Sequence, residues 1–211
     1  MAVLRPVKLT ITNYPEGERE LFEIENNPVD ENAGTRSVSF SRSLWIEQED
    51  FMAEPVKKYN RLYPGNEVRL KGAYIVKCTG YHTDADGNVT EVLCEYDPDT
   101  RGGNAPDGRK VRGTIHWVDA ANCAEAEVRL YDNLFADPEP DGPDKDYIEC
   151  LNPNSLEVLT GCKVEKSLEK CEASDRFQFL RLGYFAPDSK DSAPGRLVFN
   201  RSVALKDSFK K

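Results

Sequence analysis

Alternation with a period of two governs most of this chain. Val7-Lys8-Leu9-Thr10-Ile11-Thr12 sets apolar side chains against polar ones residue by residue, which puts them on opposite faces of a strand. Comparable runs cover residues 37–40, 68–77, 89–95, 113–118, 127–131, 156–159, 177–185 and 197–205. Turn residues bound them. Asp86-Gly87-Asn88 predicts a hairpin, and Pro64-Gly65 and the stretch 102–108 break the chain elsewhere. Many short strands so punctuated predict a mainly β protein of barrels or sandwiches. Two segments depart from the pattern. Residues 47–63 space Phe51, Met52, Val56, Tyr59, Leu62 and Tyr63 as a helix would, although Pro55 opposes an uninterrupted start. Residues 164–172 form a second, shorter helical candidate.

The 211 residues suffice for one large domain or two of roughly 100 each. No apolar run reaches the roughly 18 residues of a membrane span, and Arg5, Pro6 and Lys8 interrupt any secretory core at the N-terminus. The expectation is a cytoplasmic protein with no membrane partner. None of the six cysteines forms a C-x-x-C pair, and only two histidines could assist them with zinc. The even cysteine count permits disulfides, but the size and the missing signal favour reduced thiols.

A net charge of −9 argues at first against a nucleic-acid partner. The distribution is more telling. Residues 56–77 carry a net +5 and residues 119–149 a net −8, so a folded chain would have distinct electrostatic faces. Residues 136–146 are rich in Asp, Pro and Gly without apolar period and read as a loop or partly disordered connector. Val7-Lys8-Leu9 with Asn13-Tyr14 is echoed by Val128-Arg129-Leu130 with Asn133-Leu134-Phe135, about 120 residues on, which agrees with two related barrels.

No nucleophile elbow, H-E-x-x-H or P-loop is present. His116 has no nucleophile to serve that the sequence can name, so the chain alone is not expected to be an enzyme. Binding chemistry is richer. Lys57-Lys58-Tyr59-Asn60-Arg61 offers cations, an amide and a ring within a few residues, and Arg69 with Lys71 falls at i and i+2 on one strand face. Phe177-Gln178-Phe179-Leu180-Arg181 adds an amide that can pair with a pyrimidine edge. The run 107–118 joins Arg109, Lys110 and Arg112 to His116-Trp117, as cations beside rings for RNA or as a charged hairpin above a core tryptophan.

These residues carry a family resemblance. Tyr96-Asp97-Pro98-Asp99-Thr100, Asp107-Gly108-Arg109-Lys110-Val111-Arg112-Gly113-Thr114-Ile115-His116-Trp117-Val118 and Val128-Arg129-Leu130-Tyr131-Asp132-Asn133-Leu134-Phe135 closely resemble the C-terminal part of the glutaminyl-tRNA synthetases. Phe177-Gln178-Phe179 with Gly183-Tyr184-Phe185 and Val198-Phe199-Asn200-Arg201 fit as well, in order over nearly the whole chain. The glutamyl enzymes resemble it less in the His-Trp region. The resemblance implies two contiguous antiparallel β-barrels of the ribosomal L25-like type with exchanged N-terminal strands and one or two short helices. They would span residues 1–120 and 121–211, with strand 6–14 exchanged into the other barrel.

The resemblance further implies a grip on the tRNA(Gln) anticodon stem-loop. Arg61 would read the third base, a guanine, with Lys57 and Lys58 at anticodon contacts. Arg69 and Lys71 would hold the first base and its phosphates, and Gln178 with Arg181 would read the central uracil. Asn60 stands where a family member has lysine, so the guanine contact leans on Arg61. Leu180 replaces an acidic residue, and Val29-Asp30 an amide-and-lysine pair. The catalytic half, with its His-Ile-Gly-His and Met-Ser-Lys motifs, has no counterpart. The expectation is a monomeric, inactive fragment without a cofactor of its own. Its partner would be the catalytic domain of the same polypeptide, which uses ATP with magnesium. An L25-like protein binding ribosomal RNA, and an RNA-free module working through its acidic segment, are the competing readings. After the resemblance, Arg109, Lys110 and Arg112 read as phosphate or structural cations, and His116-Trp117 as buried packing.

Overall fold

The computed structural model describes residues 1–142 and 145–205. It is mainly β, with curled, barrel-like sheets and only short 3-10 turns. Two compact units divide the chain: Met1–Ala124 with Lys163–Lys166, and Glu125–Cys162 with the residues from Ser167 onward.

In the first unit the strands are β1 (Ala2–Val3), β2 (Pro6–Ile11), β3 (Arg19–Glu25), β4 (Thr35–Ser41), β5 (Ser43–Glu47), β6 (Glu67–Leu70), β7 (Ile75–Thr83), β8 (Val89–Asp97), β9 (Thr114–Ile115) and β10 (Val118–Asp119). Seven of them form a sheet in the order β10-β5-β2-β8-β7-β6-β9, while β3 and β4 make a separate hairpin. The alternation of β2 is realised as written, with Val7, Leu9 and Ile11 buried and Lys8 and Thr10 half-buried. Apolar faces converge on Trp117 and Phe40, both fully buried, with ring centroids 5.1 Å apart edge to face. Tyr14, Phe22 and Tyr74 extend this aromatic cluster.

The second unit is built on β11 (Cys123–Tyr131), β12 (Leu156–Glu165), β13 (Phe177–Phe179), β14 (Gly183–Pro187) and β15 (Leu197–Ala204), in the order β12-β11-β15-β14-β13. Its core stacks Phe179 on Phe185 at 4.3 Å, with Phe199 edge-on at 5.3 Å from Phe179. The last residues of β12 belong to the first unit, where Val164 and Lys163 pair with Ala2 and Val3 of β1.

Several expectations are corrected. Residues 47–63 do not form a helix. A 3-10 turn covers Gln48–Asp50, after which the chain makes a loop closed by Met52 N–H to Leu62 O (3.0 Å) and Leu62 N–H to Asp50 O (3.0 Å). Pro55 lacks the donor a helix needs and biases Glu54 away from it. Phe51 and Leu62 enter the core from the loop's two ends while Val56 stays 64% exposed. Residues 164–172 likewise hold only a 3-10 turn, Lys166–Lys170. The strand expected over 68–77 is split by a turn at Gly72 (φ +72°), and that over 177–185 by a turn in which Arg181 has φ +67°. Strand β2, expected to be exchanged into the other barrel, pairs on both edges within its own unit, antiparallel to β5 and parallel to β8. The sheets are not purely antiparallel either, since β6 with β9 and β11 with β15 are also parallel. The sequence echo between β2 and β11 thus falls on two strands that each take a later strand in parallel.

Candidate nucleic-acid interface

The 52–62 loop is held in shape from both sides. Tyr59 O–H donates to Glu49 O (2.9 Å), and Asn66 Nδ2 donates to Arg61 O (2.7 Å). Gly113, at φ +88°, passes so close to this loop that a β-carbon there would collide with the Asn60 carbonyl. Only glycine satisfies both demands. The 57–61 loop and the 110–112 segment are therefore fixed side by side.

Between them lies an open polar groove of about 530 Å³. Its walls carry Tyr59, Asn60, Tyr63, Lys77, Lys110 and Arg112. Of the residues singled out in the sequence for base reading, Asn60 alone lines it. Lys57 and Lys58 are exposed on the loop above, Lys58 with φ +71°.

Arg61 is half-buried and oriented by carboxylates. Its Nη1 lies 2.9 Å from Glu49 Oε1 and 3.1 Å from Asp50 Oδ1, and Asp50 is fully buried. Burial alone would lower the guanidinium pKa, yet the Glu49 bond and the two negative charges outweigh it and raise the value. Such a fork is charged and pre-aimed, as bidentate recognition requires. Arg69 is engaged differently, with Nε donating to Gly103 O and Nη1 to Val111 O (2.9 Å), so it pins the 103–111 loop onto β6. Lys71 is exposed just past β6, and its carbonyl accepts Trp117 Nε1–H at 3.1 Å.

The second unit presents its own pair. Gln178 is exposed on β13 directly opposite Tyr184 of β14, itself 48% exposed, which puts an amide and an aromatic residue at paired positions on neighbouring strands. Arg181 sits in the intervening turn.

The 107–118 run divides between structure and surface. Arg109 joins Asp97 (2.6 Å), Asp107 (2.8 Å) and Glu67 (3.2 Å), and the Asp97 bond above all raises its pKa. Trp117 and His116 are fully buried, with His116 Nε2 3.6 Å from Glu47 Oε1. Burial would lift the Glu47 carboxyl, but the His116 imidazole beside it and the hydrogen bonds from the Leu4 and Arg5 N–H groups outweigh that and hold the carboxyl below its usual range. His116 is thus paired inside the core rather than placed as a catalytic base.

Two family models, both described as the anticodon-binding domain of class I tRNA synthetases (E and Q), match residues 1–97 and 114–188. The chain belongs to that family. The curated proteins similar to these anticodon-binding domains include a glutamine–tRNA ligase of Clostridium kluyveri, 55% identical over 211 residues. Those of Clostridium perfringens and Bradyrhizobium diazoefficiens are 55% and 53% identical. Each alignment takes in all of this chain but only 37–38% of the relative. The chain therefore spans a little over a third of the length of the curated relatives it matches.

Sequence reasoning did not group Lys77 and Tyr63 with Asn60, Lys110 and Arg112 as the walls of one groove. The available signal was Gly113. A glycine breaking an otherwise β-branched strand marks close backbone approach, and the approach it permits is what forms the groove.

Proposed function

We propose that this chain is the anticodon-binding region of a glutamine–tRNA ligase and grips the anticodon stem-loop of tRNA(Gln). The complete enzyme would then attach glutamine to that tRNA with ATP. Continuous similarity over the whole chain to proteins of that name carries the reading. The concentration of cations, amides and rings on the 57–77 and 110–112 segments supports it. Residues 1–120 and 121–211 act as two barrels, a division that the change of unit after Ala124 supports. The ligase works as a cytoplasmic monomer.

ATP and its magnesium do not fit the residues present. The one diglycine, Gly102-Gly103, leads into a turn rather than a helix, and the Gly103 carbonyl is occupied by Arg69. Among the described residues no three His, Cys, Asp or Glu side chains are grouped to hold a metal. Nucleotide chemistry belongs to other parts of the ligase.

In this reading Arg61 takes the guanine at the third anticodon position, through a guanidinium already aligned by Glu49 and Asp50. Lys57 and Lys58 meet the loop backbone. Lys71 takes the first base and its phosphate more directly than Arg69, whose bonds run to Gly103 and Val111. Gln178 and Arg181 take the central uracil, with Tyr184 as a stacking surface.

Arg61→Ala in the complete ligase should lower kcat/KM for tRNA(Gln) by about 1–3 kcal/mol, a factor of roughly 5–150, and relax preference at the third anticodon base. Steady-state charging of matched and third-base-substituted transcripts measures it. Equal losses on both would remove Arg61 from base reading. Gln178→Ala should cost about 1 kcal/mol on the matched transcript, and less on one whose central base already lacks a partner for the amide. The same charging assay compares the two.

A further inference from the structure

We propose that the groove between the 57–63 and 110–112 segments holds one unstacked nucleotide of the bound RNA, with Lys77, Lys110 and Arg112 at its phosphate and Tyr59 with Tyr63 at its base. This rests on the anticodon-binding reading but adds a subsite, and three cations, that the reading does not require. Size is the first support. About 530 Å³ falls within the range of roughly 300–1,000 Å³ typical of small-ligand sites, ample for a nucleotide.

Charge is the second. Arg36, Arg61, Arg101, Arg109 and Arg129 are held by carboxylates of the fold itself. Lys77, Lys110 and Arg112 are exposed and have no ion pair with any described residue. The groove's one acid, Glu67, accepts a hydrogen bond from Arg109 Nε at 3.2 Å, so a carboxylate already engaged faces three cations that are not. A concave site of this kind concentrates field and attracts an anion.

Shape is the third. Tyr59 is fixed through its hydroxyl on Glu49 O, and both tyrosines are half-buried in the groove's walls. Asn60 and Asn66 supply amides on the same walls. Aromatic faces with amides and phosphate-facing cations are the components of single-stranded RNA recognition. The collision that Gly113 avoids keeps the two walls at a set distance, so the subsite is formed before RNA arrives.

The test is binding of the tRNA(Gln) anticodon stem-loop to the ligase carrying this chain, at several salt concentrations. The variants are K77A/K110A/R112A and, in parallel, Arg61→Ala. The three side chains are exposed, and a thermal melt confirms that the triple variant folds. The expected result is at least tenfold weaker binding, with a plot of log K against log salt flatter by about 0.7, the contribution of the one single-strand phosphate that the three cations share. An unchanged slope with weaker binding means the cations act on structure and overturns the proposal. Unchanged binding, while Arg61→Ala still relaxes third-base preference, also overturns it and leaves anticodon recognition standing. Failure of every variant to alter binding would overturn both.

Discussion

Replacing Trp117 by alanine should lower the unfolding free energy by about 3–5 kcal/mol, because a fully buried indole takes both its transfer energy and a large cavity with it. The ring meets Phe40 of β4 edge to face and belongs to the buried core cluster of the first unit. The indole also donates to Lys71 O, so the substitution loosens the turn after β6 that presents Lys71. Trp117→Phe separates the two contributions. It keeps most of the packing and loses the hydrogen bond, so it should fall about 1–2 kcal/mol short of the parent. Equilibrium urea unfolding measures both, and a loss below about 1.5 kcal/mol for Trp117→Ala would mean the core tolerates collapse at this point.

Gly113→Ala should destabilise by about 2–4 kcal/mol, more than its single added methyl suggests, because two penalties coincide. The backbone sits at φ +88°, and the new carbon would meet the Asn60 carbonyl. Gly108 provides the control. It too has positive φ (+73°), but an added β-carbon there meets nothing within 4 Å. Gly108→Ala should therefore show only the conformational penalty of about 1–2 kcal/mol. The difference between the two variants isolates the close approach. Gly113→Ala should also weaken binding of the anticodon stem-loop, since the 57–61 loop must move to make room. Equal destabilisation by both substitutions would show that the Asn60 contact carries no cost.

How much of this was readable from the sequence differs between strand and loop. Period-two alternation located β2, β8 and β11 because each has one buried face, and burial is what that pattern records; β4 and β15 were located too, although each buries consecutive residues and so both faces over part of its length. It missed β3 and β5. In Arg19–Glu25 charged residues occupy the exposed positions densely enough to mask Phe22 and Ile24, and Ser43–Glu47 runs directly into the 48–50 turn. The 47–63 segment was misread because its apolar residues are spaced by 3 and 4 for another reason. Phe51 and Leu62 are the two ends of one loop, both anchored in the core. Spacing cannot distinguish a helical stripe from a closed loop, but Pro55 could have. For the interface, chemistry was visible and partnership was not. Arg61, Arg69 and Arg109 look alike as letters, yet each is oriented by groups far away in sequence or by loop carbonyls. The cations without such partners, Lys77, Lys110 and Arg112, emerged only when the fold brought three separate segments around one groove.

The pairing of β1 with the end of β12 has a consequence for how such a chain is made. Strand β2 leaves the ribosome long before its parallel partner, since Lys8 aligns with Glu91, and such distant pairings slow folding. The first unit waits longer still. Ala2 and Val3 need Val164 and Lys163, and Arg36 needs the carboxylate of Glu165, with Nε 2.7 Å from Oε2. Those residues are translated only after β11 and most of β12. Translation order and completion order therefore diverge, so a nascent chain halted near residue 124 would carry an open edge at β1 and an unanswered charge at Arg36.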